Sequence, residues 1–158
     1  MGTSGGANIA LLLAIKYPEQ VTGVIADSCA ELFSPKDLRK EVANRELRTK
    51  DQIDFWEYAN GDDWEDVVNE DSKLLLSFAD RGGNLFDGRL DAINCPVLLT
   101  GSLKDSFITD IGEQNIRMAK QIQNCITFLS NDGEHPFMWT CPDVFRFVSY
   151  QFLKEWGK

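Results

Sequence analysis

At 158 residues, with 43% apolar and 26% charged residues, the chain has room for one soluble globular domain with a real core. Its net charge of −9 argues against nucleic acid or an anionic membrane as the main partner. No basic, apolar leader precedes Gly2, and the apolar run 9–15 is too short to span a bilayer.

Gly5 and Gly6 open an Ala- and Leu-rich segment, residues 7–17, that Pro18 ends. It predicts a helix needing cover on nearly every side. Residues 21–26 are β-branched enough for a buried parallel strand, with Asp27 and Ser28 at its carboxyl end. The texture then changes. Ser34-Pro35-Lys36-Asp37 starts a helix carrying Leu38, Val42 and Leu47. Ile53, Phe55, Trp56 and Tyr58 predict a second helix, and Trp64, Val67, Val68, Leu74, Leu75 and Phe78 a third, ended by Gly82-Gly83. Residues 31–89 therefore form an all-helical insertion. Residues 51–71 hold nine Asp and Glu and no Lys or Arg, the pattern of a solvated helical face that would also repel anionic substrates. Strand–helix alternation resumes with a strand at 96–100, a helix at 111–123, a strand at 126–129 and a helix at 142–156. Val144, Phe145, Val148, Phe152 and Leu153 form the apolar stripe of that last helix. The expected architecture is a layered α/β domain, residues 1–30 and 90–158, with a three-stranded parallel sheet and the helical insertion between its halves.

Cys29, Cys95, Cys125 and Cys141 show no C-x-x-C spacing, and the chain has one histidine, too few for a usual zinc set. They predict small buried thiols in a reducing, cytoplasmic compartment. No cofactor and no metal are called for.

Gly2-Thr3-Ser4-Gly5-Gly6 fits G-x-S-x-G, a strand-to-helix turn that holds a serine at its tip between tiny neighbours. The competing phosphate loop lacks its Gly-Lys-Ser/Thr ending. A serine hydroxyl needs a base, and His135 is the one histidine, just past the third predicted strand. Sites in open α/β sheets gather at the strands' carboxyl ends. Two acids sit at such ends, Asp105 and Asp27.

Three motifs resemble the α/β-hydrolase superfamily: Gly2-Thr3-Ser4-Gly5-Gly6-Ala7-Asn8 its elbow, Cys95-Pro96-Val97-Leu98-Leu99-Thr100-Gly101 with Asp105 its acid strand, and Gly133-Glu134-His135-Pro136 its histidine turn. The likeness covers the whole chain, with residues 31–89 as a helical cap, and is similar to capped esterases and biphenyl-hydrolase-like enzymes of the valacyclovir hydrolase kind. It implies a partial α/β-hydrolase with Ser4 as nucleophile, His135 as base and, in the family order Ser…Asp…His, Asp105 rather than Asp27 as acid. It also implies an oxyanion donor at the Gly5 N–H and a small-molecule acyl substrate. Phe55, Trp56, Trp64, Phe78 and Phe107 are candidates for the acyl pocket, the alternative being that they fill the cap's own core. The chain departs from the family in beginning at the elbow: five strands and the loop giving the second oxyanion donor are not among its residues. Loss of one such donor costs on the order of 100-fold or more in turnover. The alternative to a serine hydrolase is thus an inactive truncated fragment or interaction module. It would form a homo-oligomer through an uncovered strand edge at 21–26 and the apolar helix after the elbow.

Overall fold

The computed structural model describes residues 1–156. Its elements run β1 (Gly2–Thr3), α1 (Gly5–Lys16), β2 (Val24–Asp27), α2 (Pro35–Arg45), α3 (Lys50–Asn60), α4 (Trp64–Asp80), β3 (Val97–Ser102), α5 (Ile111–Gln121), β4 (Cys125–Ser130), α6 (Phe137–Thr140) and α7 (Pro142–Trp156). The chain divides into two compact units, Met1–Glu31 with Phe86–Lys158, and Leu32–Leu85.

In the first unit all four strands are parallel and lie in the order β1-β2-β3-β4. The sheet has one strand more than the three expected. Gly2 and Thr3 pair with Ala26 and Asp27, a strand too short for any period to show in the sequence. The edge expected at 21–26 is thereby covered at its carboxyl end, and the strand itself begins at Val24 and runs through Asp27. Every residue of β2 and β3 is buried, which explains their unbroken apolar texture. Ile25 and Leu98 are register partners and face Phe137, Phe145 and Phe152 in one apolar cluster. The alternate residues point to the other face. There Gly101 sits so close to α5 that a Cβ would lie 2.8 Å from Ile111 Cδ1.

Two helices differ from their predicted faces. In α1, Ala7, Leu11, Ala14 and Ile15 are buried while Ile9 and Leu13 are exposed. In α7, Phe145 and Phe152 are buried, but Val144 and Leu153, expected on the inner stripe, are exposed with Phe147 and Tyr150. With aromatic residues on both sides of α7, apolar character alone could not mark its inner face.

The second unit holds the helices of the insertion. Ser34 caps α2 by accepting from the Asp37 N–H at 3.0 Å, with Pro35 in the first turn. Thr49 and Gln52 form a reciprocal capping box at the start of α3. A single antiparallel bridge, Leu32 to Asn84, joins the unit's ends. Gly83, at φ 84°, is required there, since a Cβ would stand 1.8 Å from the Phe33 carbonyl oxygen. In the acidic block, Asp54, Glu65, Glu70 and Asp71 pair with Lys50, Arg48, Lys73 and Arg45, all from just outside it.

All four cysteines are free thiols. Only Cys29 and Cys95 are buried as expected; Cys125 and Cys141 are half-buried. Burial first, and the neighbouring Asp27 second, push the Cys29 thiol from its usual 9.0 up to about 12. Between those values the unfolded chain loses this proton before the folded one does. The stabilisation is therefore complete below pH 9.0 and disappears as pH rises toward 12. The urea midpoint of the native chain should fall more steeply above pH 9 than that of Cys29→Ala.

Candidate active site

Four parallel strands have all their carboxyl ends on one edge, so the segments that leave those ends meet there. Ser4 follows β1, Asp27 ends β2, Asp105 follows β3 and His135 follows β4.

Ser4 sits at φ 52°, ψ −125°, a backbone conformation that costs a non-glycine residue energy and persists only where its surroundings enforce it. Its N–H donates to the Asp27 carbonyl at 2.8 Å, and its own carbonyl accepts from Ala7 at 3.0 Å, so β2 and the first turn of α1 hold it from both sides. Gly5 opens α1, and its N–H is among the helix-initial donors that have no acceptor within the helix. No acidic residue lies in that first turn to neutralise the partial positive charge beside Ser4.

The elbow's two outer glycines are not equivalent. A Cβ on Gly2 would lie 2.2 Å from the Gly6 carbonyl oxygen and 2.7 Å from the Ala7 nitrogen. A Cβ on Gly6 would meet nothing within 4 Å. The need for tiny residues on both sides of Ser4 thus holds for Gly2 and not for Gly6. Gly2→Ala should cost about 1–3 kcal/mol or more by forcing backbone apart, whereas Gly6→Ala should change stability by less than about 1 kcal/mol. Thermal unfolding of the two variants checks the difference.

His135 Nδ1 lies 2.8 Å from Asp105 Oδ2, and its Nε2 lies 3.0 Å from Ser4 Oγ. A carboxylate can only accept, so Nδ1 carries the ring proton and Nε2 is left to accept from the serine hydroxyl. The Asp105 side chain is fully buried. Its Oδ1 accepts from the backbone N–H groups of Phe107 and Ile108, both at 2.9 Å, which leaves Oδ2 directed at the imidazole. Ser102 Oγ donates to the Gly133 carbonyl at 2.8 Å and so ties the end of β3 to the histidine turn.

The Asp27 carboxylate is engaged by groups other than His135. Its Oδ1 accepts from Thr100 Oγ1, and its Oδ2 from Thr3 Oγ1 and the Met138 N–H. Phe107 stacks on the His135 ring, with centroids 4.8 Å apart, and is largely exposed. The other four aromatic candidates belong to the helical unit. Trp56 and Trp64 stack on one another at 5.7 Å with the Arg48 guanidinium over both, Phe78 is buried, and Phe55 is exposed. Sequence reasoning missed the hydroxyls of Thr3, Ser28, Thr100 and Ser102. Their signal was a run of Ser and Thr at the carboxyl ends of otherwise apolar strands.

No family model and no curated protein matches the chain. Solved structures do. NosK from Streptomyces actuosus matches with a TM-score of 0.74 at 13% identity, over 97% of this chain and 66% of that one. An enol-lactonase from Burkholderia xenovorans matches with a TM-score of 0.69 at 18% identity, over 97% and 64%. MenH from S. aureus gives 0.63 at 17% identity, over 99% and 68%. The chain spans about two thirds of the length of these structures. With its parallel sheet, its strand-end turns and these neighbours taken together, the chain has the α/β-hydrolase fold.

Proposed function

We propose that the chain is a serine hydrolase of carboxylic esters or related acyl compounds, acting through Ser4, His135 and Asp105. The continuous hydrogen-bonded line from Ser4 Oγ through the imidazole to the buried Asp105 carboxylate supports this most directly. Ser4 Oγ attacks the acyl carbonyl while its proton passes to His135 Nε2. The new C–O bond gives a tetrahedral oxyanion, for which the Gly5 N–H at the start of α1 would serve as one donor. When the bond to the leaving alkoxide breaks, Nε2 returns the proton to that oxygen. A water then repeats the sequence on the acyl-serine: its proton goes to Nε2, its oxygen to the carbonyl carbon, and Ser4 leaves reprotonated. Asp105 accepts from Nδ1–H throughout, holding the ring's tautomer and stabilising its charged form.

Phe107 is packed on the imidazole and open to solvent, which supports a role in touching the acyl or leaving group. The helical cap that the resemblance implies at residues 31–89 would take in the compact unit Leu32–Leu85. That one similar structure is an enol-lactonase motivates lactones beside open-chain esters as trial substrates.

Rapid mixing with p-nitrophenyl butyrate tests the mechanism. The expected trace is a burst of close to one p-nitrophenol per chain, then a slower steady rate. No burst, no turnover and no butyryl-Ser4 in the quenched protein would together rule the function out.

A further inference from the structure

Asp27 is fully buried and takes no part in the Ser4–His135–Asp105 line, yet it touches both turns that must meet to form it. On the serine side, its Oδ2 accepts from Thr3 Oγ1 at 2.7 Å, and its backbone carbonyl accepts from the Ser4 N–H at 2.8 Å. On the histidine side, the same Oδ2 accepts from the Met138 N–H at 3.0 Å. Its Oδ1 is fixed to β3 through Thr100 Oγ1 at 2.7 Å. The next residue repeats the pattern. Ser28, at φ 50°, donates its N–H to the Thr100 carbonyl and accepts from the Phe137 N–H at its Oγ, both at 2.8 Å. Hydrogen bonds to a buried carboxylate are short, strong and directional, so this dipeptide fixes where β1's end and the start of α6 stand relative to one another.

We propose that Asp27 is a positioning residue that sets the Ser4–His135 distance by anchoring the serine elbow and the histidine turn to one carboxylate; this rests on the hydrolase function above. The chemistry explains why a planar side chain with two hydrogen-bonding atoms is used at that point. Three donors converge on two oxygens, and the Met138 backbone N–H cannot reverse its role. A threonine hydroxyl can. An asparagine could thus keep its oxygen on Thr3 and Met138 and donate its amide to a rotated Thr100 hydroxyl. Alanine could keep none of these bonds.

The test measures p-nitrophenyl butyrate turnover together with the imidazole NMR signals of His135, the chain's single histidine. Asp27→Ala should lower kcat about 100-fold with KM within about threefold, as expected when reacting groups are displaced by about an ångström. It should also lose the His135 Nδ1 proton signal to solvent exchange. Asp27→Asn should restore most of both. A folded Asp27→Ala chain with native kcat and an unchanged His135 signal overturns the proposal, as does an Asp27→Asn chain no better than alanine. If Asp27→Ala does not fold, Thr3→Val removes only the hydroxyl beside the elbow. It should cut kcat about tenfold at unchanged KM, and an unaltered kcat overturns the proposal. A chain that turns over no ester, yet whose His135 signal depends on residue 27, would fail the hydrolase function while supporting the positioning role.

Discussion

Ser4→Ala, His135→Ala and the double variant should all reduce ester turnover to one and the same residual level, on the order of 10³–10⁴-fold above the uncatalysed reaction. The expected loss for each single change is on the order of 10⁶-fold, because serine and imidazole act as one unit and removing either leaves the other with nothing to do. Both variants should stay folded. Ser4 Oγ and the ring of His135 are partly solvent-facing, and the buried cluster of Ile25, Leu98, Phe137, Phe145 and Phe152 does not depend on them. Steady-state kinetics with circular dichroism on the three proteins checks the pattern. If the single losses added up in the double variant, the two residues would not form a unit.

Asp105→Asn should have the next largest effect, about 10⁴-fold in kcat. Its cause is the reversal of one hydrogen bond. The Phe107 and Ile108 N–H groups both point at Oδ1 and will hold the amide oxygen there, so the amide nitrogen takes the Oδ2 place facing His135. An NH₂ donates, and Nδ1 must then accept, so the ring proton moves to Nε2. That nitrogen can no longer take the Ser4 proton. The fold should be untouched, since the loop's two backbone bonds survive. A raised pH should not rescue turnover, because the defect is the wrong tautomer rather than the wrong charge. Rate–pH profiles from pH 6 to pH 10 measure this.

Much of the candidate site's placement was legible in the sequence because it rests on short-range rules. Strand, turn and helix alternate, parallel strands share a carboxyl edge, and Ser4, Asp105 and His135 each lie a few residues beyond a strand. Asp105 and Asp27 could not be separated by those rules alone, since both occupy strand ends. What distinguishes them is where donors point. Phe107 and Ile108 orient the Asp105 carboxylate toward the imidazole, whereas Thr3, Thr100 and Met138 saturate that of Asp27. The donors to Asp27 lie 24, 73 and 111 positions away from it, and no local pattern records their convergence. The same limit applies to α7, where both faces carry aromatics, and to β1, whose two residues acquire strand character only by pairing with Ala26 and Asp27. Trp56 and Trp64 were open to two readings, acyl-pocket lining or the cap's own core, and residue type alone could not say that they stack with each other and with Arg48.

Peptide mapping after exposure of the folded chain to a fluorophosphonate reads most directly whether the serine is activated by its neighbours. A single phosphonyl adduct should appear on Ser4, within the tryptic peptide 1–16, and should vanish in His135→Ala and after unfolding in urea. An unmodified Ser4 in the folded chain, or one modified equally well without the histidine, would mean that the hydrogen-bonded line at the sheet edge confers no nucleophilicity.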